Sequence, residues 1–316
     1  MPRRSKCATV WLKLGPVSRA KPCMTHHAQV SNMRDPPPGP IAQDEAPSLP
    51  GFDCFRFEAA PGAHWVFRRG DRDHPPVLVL QELPGIAPGL LLFVERLAAQ
   101  GFQVYLPWLF GPLGARAPLR NLAKLCVSRE FARLRAGTSA PVTDWLRALA
   151  GRIAADNSAA AVSAIGMCIT GAFVIPLLLE PGVRAAVAAQ PSVPLSWRYH
   201  LLGMGGSASA RALNVSAADL LGAAARLARG EAKLLAVRCA ADRLCPPDKL
   251  QALAAALPAA GLTLREYGHV DGRNALGQRP HATYTKEFRI ADDSPAGVAA
   301  RQAFEDLLAF LRSASP

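Results

Sequence analysis

From residue 51 onward, short apolar runs alternate with longer stretches of helical spacing. Residues 53–58 and 63–68 alternate as short strands, joined by Pro61-Gly62 as a hairpin, and both are expected at the edge of a sheet. Residues 77–80 are continuously apolar, the pattern of a strand buried on both faces, and 102–106 reads as the next buried strand. Residues 160–165, 185–190, 233–238 and 263–267 read as further strands. Helical spacing falls over 90–100, 119–134, 143–155, 217–229, 247–257 and 297–312, with Thr143 or Ser139 as N-cap of the third. The stretch after Gly171, through residue 179, also reads as helix. Strands that alternate with helices predict an α/β fold with a mostly parallel sheet and helices on both faces. In such sheets, sites gather at the carboxyl ends of the strands.

One junction carries chemistry. Gly166-Met167-Cys168-Ile169-Thr170-Gly171 stands between a strand and a helical stretch, with a thiol at the apex. This resembles the nucleophile elbow of α/β-hydrolases, with Cys in the usual Ser place. The helix is expected to aim its N-terminal N–H groups at the sulfur, lowering the thiol pKa and preparing an oxyanion pocket. A thiol nucleophile needs a base, and the base an orienting acid. Asp242, His269 and His281 follow in the nucleophile–acid–histidine order associated with that class. Read alone, Cys168 also fits a small buried core residue, and Asp242 a turn residue.

Four blocks carry a further resemblance, from about residue 52 to 311: Gln81-Glu-Leu-Pro-Gly-Ile86, the elbow, Cys239-Ala-Ala-Asp-Arg-Leu-Cys-Pro246 and Pro280-His-Ala-Thr-Tyr-Thr285. Together they resemble the dienelactone hydrolase family. The resemblance implies the α/β-hydrolase fold and a triad of Cys168, His281 and Asp242. Glu82 is implied as an extra carboxylate that holds the thiol neutral until substrate arrives. The implied chemistry is hydrolysis of a small carboxylic ester or lactone through an acyl-thioester, with no metal and no cofactor. Backbone N–H groups of Ile169 and Leu83 would form the oxyanion hole. His269, in Tyr267-Gly268-His269, is the alternative base, because some members carry a Gly-His there. The chain departs from the family at Ala172, where Gly is usual, and at Ala282-Thr-Tyr-Thr285, which bears on the shape of the acyl pocket. Arg129, Arg243 and Arg279 are candidate anion partners, each also readable as ordinary surface Arg.

Composition narrows the alternatives. In 316 residues, 50% are hydrophobic, enough for a sizeable core in one domain over 51–316. The net charge of +12 raises the question of a polyanion partner. The basic residues crowd the first segment and otherwise scatter along helical stretches, so neither nucleic acid nor membrane is expected. Residues 1–50 are Pro-rich and aperiodic. They are read as a disordered tail or as the product of a start assigned too early, with Met24 or Met33 the true one. Seven Cys without CxxC pairs fit free thiols in a reducing cytoplasm rather than a disulfide framework. His26-His27 lacks neighbouring metal ligands. The expected partner is a small ester or lactone, and the expected assembly a monomer or homodimer. A non-catalytic binding protein on the same fold would lack a triad member. A redox sensor would want a resolving Cys beside the elbow. Neither feature is present in the sequence.

Overall fold

The computed structural model describes residues 46–111, 113–114, 141–157, 161–192, 210–268, 280–286 and 293–314. Residues 1–45 of the expected tail, the helix over 119–134, Ser139, His269, Arg129 and Arg279 lie outside the described residues, while the tail's Leu49 is buried against the core.

Eight strands form one sheet in the order β1-β2-β4-β3-β5-β6-β7-β8. The hairpin β1 (Asp53–Ala59) and β2 (Gly62–Arg69) is antiparallel, and β2 runs antiparallel to β4 (Gln103–Pro107). Only β1 of the hairpin is an edge strand; β2 lies between β1 and β4, and its Val66 and Phe67 are fully buried. The other strands, β3 (Pro76–Leu80), β5 (Val162–Met167), β6 (Val183–Ala189), β7 (Lys233–Cys239) and β8 (Leu262–Tyr267), are parallel to one another and to β4.

Successive strand residues point to opposite faces, so each buried strand feeds two cores. Leu78 and Leu80 join one, Val77 and Val79 the other. The first core is covered by α2 (Pro141–Asp156), α3 (Val174–Leu177), α4 (Ala217–Ala228) and α5 (Pro247–Ala256). The second is covered by α1 (Pro88–Ala99) and α6 (Pro295–Ala314). This two-sided cover is why β3 and β5 carry no alternation. The sheet and its covering helices are those of the α/β-hydrolase fold.

Two local expectations are corrected. Helix α2 starts at Pro141, whose fixed φ suits a first turn, and Thr143 is buried inside it rather than capping it. The stretch after the elbow is not one long helix. It is a 3₁₀ turn, Cys168–Ala172, followed by the single turn α3. Gly171 and Pro176 explain the break: Gly weakens helix, and Pro lacks the N–H that an i→i−4 bond needs. The long macrodipole expected behind the thiol is therefore reduced to a few aligned peptides. Among the described residues, no helix is long and apolar enough to cross a membrane.

Candidate active site

Cys168 follows β5 directly, with φ of 54°, a left-handed conformation unusual for a side chain with a Cβ. Such strain persists where the surroundings enforce it, and they do so here. The Thr170 hydroxyl lies 3.0 Å from the Met167 carbonyl and 3.1 Å from the Gln81 carbonyl, and accepts from the Met167 N–H at 3.0 Å. One side chain thus closes the elbow and faces the loop that bears Glu82 and Leu83. Gly166 permits the crossing. A Cβ there would stand 2.2 Å from the Thr170 carbonyl oxygen and 2.8 Å from a Val174 methyl. Gly166→Ala is accordingly expected to cost on the order of 1–3 kcal/mol, read as a lower urea midpoint with unchanged slope. A wild-type midpoint would show that the turn relaxes freely.

The sulfur is partly exposed. The Ser192 hydroxyl sits 3.2 Å from it, and the Ser192 N–H donates to the Cys168 carbonyl at 3.0 Å. Ser192 comes just beyond β6, after Gln190, which itself has a φ of 36°.

Asp242 lies three residues past the end of β7 and is buried. Its Oδ1 accepts the N–H groups of Leu244 and Cys245 at 2.8 and 3.2 Å. Its Oδ2 is 2.7 Å from Nδ1 of His281. His281 opens a turn whose other side chains anchor it. Thr283 meets the Cys239 sulfur at 3.5 Å, and the Thr285 hydroxyl donates to Oε1 of Glu82. Tyr284 is fully buried and stacked on Phe93, with centroids 5.5 Å apart and planes at 12°. The departure at Tyr284 therefore alters the core under the turn, not the wall of an acyl pocket.

Burial works against a charged His281, but the charge of Cys168, the hydrogen bond donated to Asp242 and the contact with Cys168 outweigh it. The result is a pKa well above the ordinary 6.5. His281 and Cys168 are thus electrostatic partners as well as neighbours. Cys245, beneath the Asp242 turn, is pushed far up by burial and by Asp242, which leaves it an inert thiol.

Glu82 lies in the loop after β3. Besides Thr285 it takes the Gln190 amide at 3.5 Å. The loop is held from the side by Gly111, whose φ is 71°; a Cβ there would fall 2.0 Å from the Pro84 carbonyl oxygen. Gln81, fully buried, accepts the Leu109 N–H at 3.0 Å. Ile169 is the second residue of the 3₁₀ turn, where N–H groups have no partner within the turn. Leu83 sits next to Glu82. Arg243 is exposed.

The described residues thus bring Cys168, His281, Asp242 and Glu82 to the carboxyl ends of β3, β5 and β7. Sequence reading passed over Ser192, Thr285 and Gln190 as site residues. The signal for the first and last was present in Gln190-Pro191-Ser192, polar residues at the carboxyl end of an apolar strand run. Among the described residues, no group of three or more His, Cys, Asp or Glu is arranged to hold a metal ion.

The sheet order and the strand-end position of these side chains are those of the α/β-hydrolase fold. Solved structures similar to the chain share that fold. One, from Klebsiella pneumoniae subsp. pneumoniae MGH 78578 and assigned by name to the dienelactone hydrolases, has 18% identity and a TM-score of 0.52, covering 83% of this chain and 98% of its own. The Pyrococcus furiosus esterase Pf2001 has 12% identity and a TM-score of 0.50, covering 83% and 92%. No match was found among the curated proteins. Within that fold, residues 65–203 match the model of the dienelactone hydrolase family. The matched stretch includes Glu82, Leu83, Cys168 and Ile169, while Asp242 and His281 lie beyond its end.

Proposed function

We propose that the protein hydrolyses a small carboxylic ester or lactone by covalent catalysis at Cys168, with His281 as base and Asp242 as its orienting acid. The observation that carries this reading is the contact of His281 with Asp242 at 2.7 Å on one side and with Cys168 on the other.

The Cys168 thiolate attacks the ester carbonyl carbon, and the carbonyl π pair moves onto oxygen. Ile169 and Leu83 N–H groups hold that oxyanion. The intermediate collapses, the C–O bond breaks, and the alkoxide takes its proton from the His281 imidazolium. An acyl-thioester remains. Neutral His281 then removes a proton from water, the hydroxide attacks the thioester, and the sulfur leaves as thiolate. The acid departs, and thiolate and imidazolium are restored. Asp242 keeps the proton on Nδ1, so that Nε2 faces the reaction. Glu82 is fixed by Thr285 and Gln190 in the loop that the elbow's Thr170 faces. The Ser192 hydroxyl steadies the sulfur from the loop after the neighbouring strand β6.

The test is pre-steady-state turnover of p-nitrophenyl acetate with mass analysis of the quenched protein. The expected result is a burst near one equivalent and an acetyl group on the peptide bearing Cys168. An acetyl group on another residue overturns the reading. Asp242→Asn is expected to lower kcat about 10³- to 10⁴-fold while KM stays near wild type, because it presents the wrong tautomer rather than a lost binding contact.

A further inference from the structure

Arg238 is a charged side chain on a strand with apolar neighbours, and it is 1% exposed. It stands on β7 immediately before Cys239. Its Nη1 pairs with Glu266 on β8, whose side chain is 44% exposed. An ion pair with a partner that open to solvent does not offset the burial of a guanidinium. The other bonds are more informative. Nε donates to the Cys245 carbonyl at 2.8 Å, and Nη2 donates to the carbonyls of Ala240 and Asp242 at 3.0 and 3.3 Å. All three belong to the turn that carries the Asp242 carboxylate. Cys245 is shared: its N–H holds Oδ1 of Asp242, and its carbonyl is held by Arg238. A displacement of the guanidinium displaces the donor that aims the carboxylate at His281.

We propose that Arg238 is a positioning residue of the site, a buried fork that fixes the Asp242 turn and through it the His281 ring. The inference deepens the reading above and rests on it. Three carbonyls of one turn need several donors in a fixed plane, which guanidinium supplies and an ammonium does not. The charged and titratable groups around the turn include Cys239, Asp242, Arg243, Cys245, Lys249 and Glu266, with Cys168 and His281 across the site.

The full chain is tested as Arg238→Met, Arg238→Lys and Glu266→Gln. Two readouts apply: kcat and KM for p-nitrophenyl acetate, and the pH dependence of Cys168 alkylation by iodoacetamide. Arg238→Met is expected to lower kcat about 10²-fold, the cost of a misplacement near 1 Å, with KM within about twofold. Its alkylation profile is expected to move to higher pH, because a misaimed carboxylate supports the imidazolium less. Arg238→Lys recovers part of the loss. Glu266→Gln behaves as wild type, since the three carbonyl bonds do not involve it. A folded Arg238→Met protein with wild-type kcat and alkylation profile overturns the proposal, as does an equal loss in Glu266→Gln. If Arg238→Met does not fold, Arg238→Lys decides, and wild-type behaviour there overturns it. Absence of ester turnover in the wild type refutes the hydrolytic reading at this site separately, and the alkylation profile, which needs no ester, still decides the role of Arg238.

Discussion

Cys168→Ala is expected to remove ester turnover while leaving the fold in place. The side chain faces the site rather than either core, so truncation opens no cavity within the two apolar clusters. The backbone at 168 is held at a φ of 54° by bonds that do not involve the sulfur: Thr170 to Met167 and Gln81, and the Ser192 N–H to the Cys168 carbonyl. What disappears is the atom that forms the covalent bond. Loss of a nucleophile from a triad costs on the order of 10⁵- to 10⁶-fold in kcat, leaving what the oxyanion hole and substrate binding provide. Burst amplitude separates this from a general defect. It should fall to zero in Cys168→Ala, with a melting temperature within a few degrees of wild type. A full burst from the variant would move the chemistry to another residue, and Ser192, 3.2 Å away, would be the first to examine.

The pattern along the chain carried most of the fold because buried parallel strands leave a local signature. β3 is buried at all five positions and reads as an unbroken apolar run. The elbow was legible for a similar reason: small residues at 166 and 171 are demanded by backbone contacts only a few residues or one strand away. The 3₁₀ turn was missed because apolar content alone predicts helix. The decisive features were Gly171 and Pro176, whose effect depends on hydrogen bonds rather than hydropathy. Thr285 and Glu82 are 203 positions apart, and Arg238 earns its place only through carbonyls whose direction the turn decides. No periodicity marks such partners. Tyr284 shows the same limit. Its block suggested a pocket wall, yet the ring turns inward onto Phe93.

The second large effect concerns the histidine, where the sequence left two candidates. His281→Ala is expected to lower kcat about 10⁵-fold, and His269→Ala to leave it within about threefold. His281 has a carboxylate on Nδ1 and the thiol as its other neighbour. The pH dependence sharpens the test. The folded protein holds the His281 proton more tightly than the unfolded chain, whose value is near 6.5. The resulting stability is therefore fully present below pH 6.5 and is lost as pH rises through the higher folded value. The stability difference between wild type and His281→Ala should accordingly be largest at low pH and shrink on the alkaline side. Cys168 alkylation in the variant should also lose the part of its profile that depends on the imidazolium. Equal stability differences at every pH, together with retained turnover, would assign the base to His269.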